Sequence, residues 1–248
     1  MKAIHARVLV GLLLAIALAG CSSSPEKPPE ISGAGEAGGI DKPFRATGNE
    51  PFWHVIIEPG QLVLERPSLP TEELRYQTVD KSGTGRRFRA SREGLVIEVV
   101  TAPQLCRDSM SGMPHPYQVR LILNGDMLSG CGGDPRRLLT GTEWVVEDIA
   151  GRGLEEKSRA TLEFMPDGRI HGTASCNRYT GNWSLTGATI EMGKLASTRK
   201  ACPSPLMDQE DRFLRLLESA RTFDISPQGA LVITSVNGAK LRALPASR

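Results

Sequence analysis

The chain has 248 residues, with 30 Lys and Arg against 28 Asp and Glu for a formal net charge of +2, and five cysteines. A balance this close to neutral leaves no basic footprint for nucleic acid. The length suffices for two domains of about 100 residues, small enough that covalent staples matter to their stability.

The first element in chain order is a targeting segment, residues 1–20. Lys2 and Arg7 precede the apolar run "VLVGLLLAIALAG", which ends at Cys21. A short basic stretch before an apolar run too brief to span a bilayer reads as a secretory signal. Leu18-Ala19-Gly20-Cys21 resembles the bacterial lipobox. That resemblance implies cleavage before Cys21 and its acylation, palmitate included. Each buried CH₂ stabilises membrane attachment by about 0.8 kcal/mol. Ser22 next to the lipidated residue implies the periplasmic face of the outer membrane. Residues 21–43, rich in Pro, Gly, Ser and Glu, read as a flexible tether.

Residues 44–137 read as an all-β barrel or sandwich. "FWHVIIE" and "QLVLER" flank Pro59-Gly60, "RRFRAS" and "LVIEVV" flank Arg92-Glu93-Gly94, and "YQVRLIL" and "DMLSGC" flank Asn124-Gly125. Arg86, Arg87, Arg89 and Arg92 fit a solvated strand face better than an anion site, because Phe88 and Ala90 alternate with them. His54 and His115 lack a visible catalytic partner and take packing or loop roles. "GNEPFW" (Gly48 to Trp53) reads as a core plug opening the first strand, with a ligand shelf as the alternative. With Cys106-Arg107-Asp108-Ser109-Met110-Ser111, Pro116-Tyr117 and Gly130-Cys131, it resembles an uncharacterised bacterial envelope domain. No activity comes with that resemblance.

Residues 138–248 begin as a β meander, "TEWVVEDI", "ATLEFMP", "RIHGTAS", "YTGNWSLTG" and "ATIEMGKL". The period then becomes helical over residues 205–220, through Leu206, Phe213, Leu214 and Leu217, with Ser204 as N-cap and Pro205 first in the helix. "ALVITS" and "AKLRAL" around Asn237-Gly238 form a last hairpin. The fold class is therefore mostly β with one helix: an all-β segment, then an α+β segment whose helix packs on a curved sheet.

The second segment resembles the META domain of the HslJ family. The matching residues are Gly141, Thr142 and Trp144; Asp167, Gly168 and Gly172; Cys176, Asn177, Tyr179 and Gly181; and Thr198, Cys202 and Pro203. The resemblance implies a β-rich sheet with one helix and an association with heat shock and envelope stress, in one bacterium with novobiocin resistance. It implies no reaction.

Four cysteines remain once Cys21 is assigned to lipid. An even number in an exported protein points to disulfides, of which three pairings are possible. Pairing within each segment, Cys106 with Cys131 and Cys176 with Cys202, is the economical choice. Closing loops of about 25 residues stabilises by roughly 3 to 4 kcal/mol. The chain has no C-x-x-C and no His at finger spacing, so no metal and no cofactor is expected. A nucleophilic Cys176 would need an adjacent base, and His171 sits five residues away on the opposite strand face. No G-x-S-x-G or H-E-x-x-H occurs either. Asn177 is expected to bond local backbone, and Tyr179 and Trp183 to fill the core.

The expected function is that of a non-catalytic, monomeric outer-membrane lipoprotein that binds an envelope protein or lipid. The alternatives are a pilot-like or a lysozyme-inhibitor-like lipoprotein using the Met110–Tyr117 loop. A peptidoglycan hydrolase would require paired acids, such as Asp108 with Glu50.

Overall fold

The computed structural model describes residues 43–80 and 85–246. The signal, the lipobox and nearly all of the tether lie outside the described residues. Two large sheets and one two-stranded ribbon make up the described fold, mostly strand with one α-helix, as the hydrophobic periods predict.

The first sheet is a closed antiparallel barrel of β1 (Phe44–Asn49), β2 (Phe52–Glu58), β3 (Gln61–Glu65), β4 (Glu72–Asp80), β5 (Arg86–Arg92), β6 (Leu95–Ala102), β9 (Tyr117–Leu123) and β10 (Asp126–Gly132). Two short strands, β7 (Cys106–Arg107) and β8 (Pro114–His115), pair with each other outside it. β10 returns to pair with β1, so the wall has no free edge. Strict alternation fills the interior: Trp53, Val55 and Ile57 from β2, Leu62 and Leu64 from β3, Ile97 and Val99 from β6, Val119 and Leu121 from β9. The β9–β10 hairpin turns on Asn124 (φ 49°) and Gly125 (φ 101°), the paired positive φ of a type I′ turn. Asn124 Oδ1 also accepts from Val96 N at 2.7 Å and so locks this turn to the neighbouring β5–β6 turn.

Two details differ from the sequence reading. "GNEPFW" opens β2, not the first strand, because "FRATGN" already forms β1 and Glu50-Pro51 is the turn between them. Of its two aromatics only Trp53 is a core plug, at 3% exposed; Phe52 is 52% exposed, since neighbouring strand residues face opposite sides.

A 3₁₀ turn at Pro135–Leu138 leads to the second sheet. Its strands are β11 (Glu143–Ile149), β12 (Thr161–Phe164), β13 (Arg169–Thr173), β14 (Arg178–Thr186), β15 (Thr189–Met192), β16 (Ala196–Ser197), β17 (Ala220–Ile225), β18 (Leu231–Ser235) and β19 (Lys240–Pro245), in the order β15-β14-β13-β12-β11-β19-β18-β17 with β16 beside β14. The sheet curls until β15 and β17 approach each other without a ladder between them. Helix α1 (Ser204–Glu218) packs across the inside of this curl through Phe213, Leu216 and Leu217, with Phe213 edge-on to Tyr179 at 5.4 Å. Asp208, Asp211 and Arg215 stay on its wet face. The N-cap is Pro203, without a side-chain capping bond, and Ser204 is the first helical residue, a correction of the expected cap. The helix stops at Glu218 rather than Ala220, because Ala220 is already hydrogen-bonded into β17.

The lobes meet through an excursion from the barrel between β6 and β9, residues 103–116, called the strap below. Leu105 and Met113 leave the barrel and pack into the core of the second sheet. Arg107 donates to Asp224 Oδ1 and Oδ2 on β17 at 3.0 to 3.2 Å, and to the backbone oxygen of Ile225 at 2.7 Å.

Candidate functional site: a cleft under the strap

The two halves of the barrel's sequence motif, some 60 residues apart, come together. Asn49, ending β1, donates through Nδ2 to Asp108 Oδ2 and to Ser109 Oγ, both at 2.8 Å. Cys106 is bridged to Cys131 on β10, with Cα atoms 5.5 Å apart. These contacts hold the strap above the outer barrel wall and leave a cleft of about 610 Å³ between them. Gln118, Arg120 and Ser129 project from the wall, and Gln104, Arg107 and Asp108 come from the strap. The volume falls in the range of small-ligand sites.

The wall itself explains why the motif holds glycines. Gly48 and Gly130 lie on neighbouring strands at the back of this cleft, and the Trp53 indole lies directly against both from inside the barrel. A methyl group on either would overlap the ring. The Trp53 Nε1 proton is buried and finds no acceptor among the described residues.

Asp108 is the electrostatic centre of the cleft. Burial alone raises its pKa, but donors to the carboxylate outweigh that: Ser111 Oγ and N, Asn49 Nδ2 and Met110 N hold it down to about 2. It is therefore an anion near neutral pH, and a turn-former whose Oδ1 closes the loop Asp108 to Ser111. Glu50, its proposed acidic partner, is the exposed residue after Asn49, in the β1–β2 turn. The Met110–Tyr117 loop does not protrude as a whole. Met113, Pro114, Pro116 and Tyr117 are buried, and only its start is exposed, Met110 at 70% with Ser111 and Gly112 behind it.

His54 and His115 share a second cleft of about 550 Å³, with Arg45, Asp134 and Arg136. Each Nδ1 is engaged, His54 with Glu65 at 3.0 Å and His115 with the backbone oxygen of Gly133 at 3.1 Å. The arginine strand is an ion-paired wet face: Arg87 and Arg89 both reach Glu98, and Arg92 reaches Glu72. Among the described residues, no group of three or more His, Cys, Asp and Glu is placed to hold a metal ion, and no helix is long and apolar enough to cross a membrane.

In the second lobe the motif residues build a scaffold. Cys176 is bridged to Cys202, Cα atoms 6.3 Å apart. Asn177, 1% exposed, does not bond local backbone as expected. Its Nδ2 donates to Glu210 Oε1 at 2.9 Å and its backbone N to Glu210 Oε2 at 2.8 Å, while its Oδ1 accepts from Thr198 Oγ1 and Lys200 N, both at 2.8 Å. One side chain thus ties the bridge loop, the segment before the helix and the helix itself. Tyr179 and Trp183 are core residues: Tyr179 Oη donates to the Thr161 backbone oxygen and Trp183 Nε1 to that of Met165. Burial pushes the Tyr179 hydroxyl pKa well above its usual value. Trp144 Nε1 donates to the Leu139 oxygen, and Pro203 caps the helix. Gly141 and Gly168 occupy turns at positive φ, Thr142 precedes β11, Asp167 accepts from Arg169, and Gly172 and Gly181 sit in β13 and β14.

Sequence reasoning missed Glu210, which looks like one more surface charge on a helix. It also missed Asp224 and the partners of Arg107 and Met113, which lie over 100 residues away or in the other lobe. The "C-x-D-x-M-S" pattern was the one available signal for the strap.

The fold defines a two-lobed β protein: a closed barrel and a curled sheet plugged by one helix, clasped together by a strap. Residues 137–248, the second lobe with the turn that leads into it, match the META domain family, which bears out the META part of the resemblance read from its motif residues. No curated protein matches the chain. Among solved structures, an NMR structure of a protein from Burkholderia xenovorans is similar at 25% identity and TM-score 0.39, covering 45% of this chain and 86% of that one. A second NMR structure is similar at 22% identity and TM-score 0.36, covering 43% and 90%.

Proposed function

We propose that this is a non-catalytic outer-membrane lipoprotein of the HslJ type, anchored on the periplasmic face through acylated Cys21. It supports envelope integrity under stress by binding a protein or lipid partner in the cleft under the strap. The observation that carries the reading is the Asn49–Asp108 hydrogen bond, which joins two distant motif halves at the rim of a ligand-sized cleft. The groups best suited to covalent chemistry have other work: four cysteines are in bridges, and Asp108 is saturated by donors within its own loop and from Asn49.

Complementation of a strain lacking the gene tests this, scored by novobiocin and heat tolerance and by cell fractionation. The wild-type protein restores tolerance and fractionates with the outer membrane. Cys21→Ser becomes soluble and fails to restore it. Ser129→Trp, which fills the cleft from an exposed wall position, stays anchored and also fails. Full rescue by Cys21→Ser would remove the anchor from the function, and full rescue by Ser129→Trp would remove the cleft.

A further inference from the structure

Residues 103–116 are fastened in three different ways. The Cys106–Cys131 bridge ties them covalently to β10. Asn49 ties Asp108 and Ser109 to β1. On the other side, Arg107, Leu105 and Met113 tie them to the second lobe, at β17 and in its core. Cys106 and Arg107 are adjacent, so the residue held by the bridge is next to the residue that grips β17. The barrel, by contrast, is closed by its own ladders and needs none of these contacts for closure.

The bridge is also reachable. Both cysteines line the cleft, and Cys106 is only half-buried where Cys131 is 4% exposed. Of the two cysteines, Cys106 is the more exposed.

We propose that the strap is a redox-held clasp: reduction of Cys106–Cys131 releases residues 103–116, opens the cleft and uncouples β17 of the second lobe from the barrel. The step is thiol–disulfide exchange with an envelope dithiol. Its thiolate attacks Cys106 Sγ, a mixed disulfide forms, and Cys131 leaves as thiolate. The second donor thiol then displaces Cys106, the donor becomes a disulfide, and its two protons end on Cys106 and Cys131. Only the consequence for binding rests on the cleft being the functional site; release of the strap and of β17 does not.

Hydrogen exchange of the full chain, followed by mass spectrometry, tests the clasp without any ligand. In Cys106→Ala/Cys131→Ala, which leaves Cys176–Cys202 intact, amides of Ala220–Ile225 and of the strap exchange at least tenfold faster. Amides of Arg86–Arg92 and Leu95–Ala102 in the barrel stay within twofold of wild type. Arg107→Met, with the bridge intact, accelerates Ala220–Ile225 by a smaller factor and leaves the strap's attachment to β10. Unchanged exchange in Ala220–Ile225 overturns the proposal. So does acceleration throughout the barrel, which would make the bridge a staple of the barrel fold. Either result leaves the complementation test of the cleft standing, and failure of that test leaves this one standing.

Discussion

The two lobes carry disulfides of nearly equal span, 25 and 26 residues, and use them for different purposes. In the barrel, hydrogen bonds already close the wall, and Cys106–Cys131 pins an outside segment onto it. In the META lobe the sheet ends do not pair, and closure falls to a helix that must be held in place. There Cys176–Cys202, Asn177 and Glu210 form one tie between sheet and helix. A closed sheet thus tolerates a movable attachment, whereas an open one needs a polar knot as well as a core.

Substitutions that strike one lobe's closure device sharpen this contrast. The largest effect is expected from Phe213→Ala, which empties the centre of the helix–sheet contact and costs about 4 kcal/mol. Urea unfolding should show the META lobe melting first, with barrel amides still protected; equal loss of protection in both lobes would break the comparison. Asn177→Ala comes next, at about 3 kcal/mol, because it strips a donor from the buried Glu210 carboxylate and leaves Thr198 and Lys200 without their acceptor. Thermal melts of Asn177→Ala and Asn177→Asp should be about equally lowered, since a second carboxylate beside Glu210 repels it.

In the barrel, Gly48→Ala forces a methyl group into the Trp53 indole and costs about 2 kcal/mol, read as a shifted urea midpoint with loss of barrel protection. The smallest effect is a pH dependence. The folded pKa of Asp108, about 2, lies below its ordinary 3.8, so its stabilisation is complete above about pH 5 and is lost as pH falls through 4 towards 2. Screening at this partly exposed site leaves about 1 kcal/mol. Wild type should lose that amount over this window relative to Asp108→Asn, whose stability does not carry the term. Parallel pH profiles for the two proteins would show that the Asp108 turn does not hold the strap.

Period and turn chemistry were enough for much of the architecture. Alternation in "LVIEVV" and "YQVRLIL", the Asn124-Gly125 turn and the helical spacing of Phe213 and Leu217 are local properties of short segments, and each became the expected element. β1, β4 and β17 escaped notice because "FRATGN", "EELRYQTVD" and "ARTFDI" carry weak or interrupted apolar periods. They are strands because neighbours on both sides or on one supply a ladder.

The sequence by itself determined the strongly periodic strands, the single helix, the pairing of cysteines as the economical choice, and the residues of the META motif, all of which depend on spacing along the chain. Only the tertiary structure decided what those residues do. It alone placed Asn49 on Asp108, Asn177 on Glu210, and Met113 inside the other lobe's core. The physical reason is that a polar or apolar side chain on the outer face of a segment looks the same in sequence whether it meets water or a partner. Burial and hydrogen bonding at these positions are set by segments tens to more than a hundred residues away, and become defined only when the barrel closes and the helix seats on its sheet.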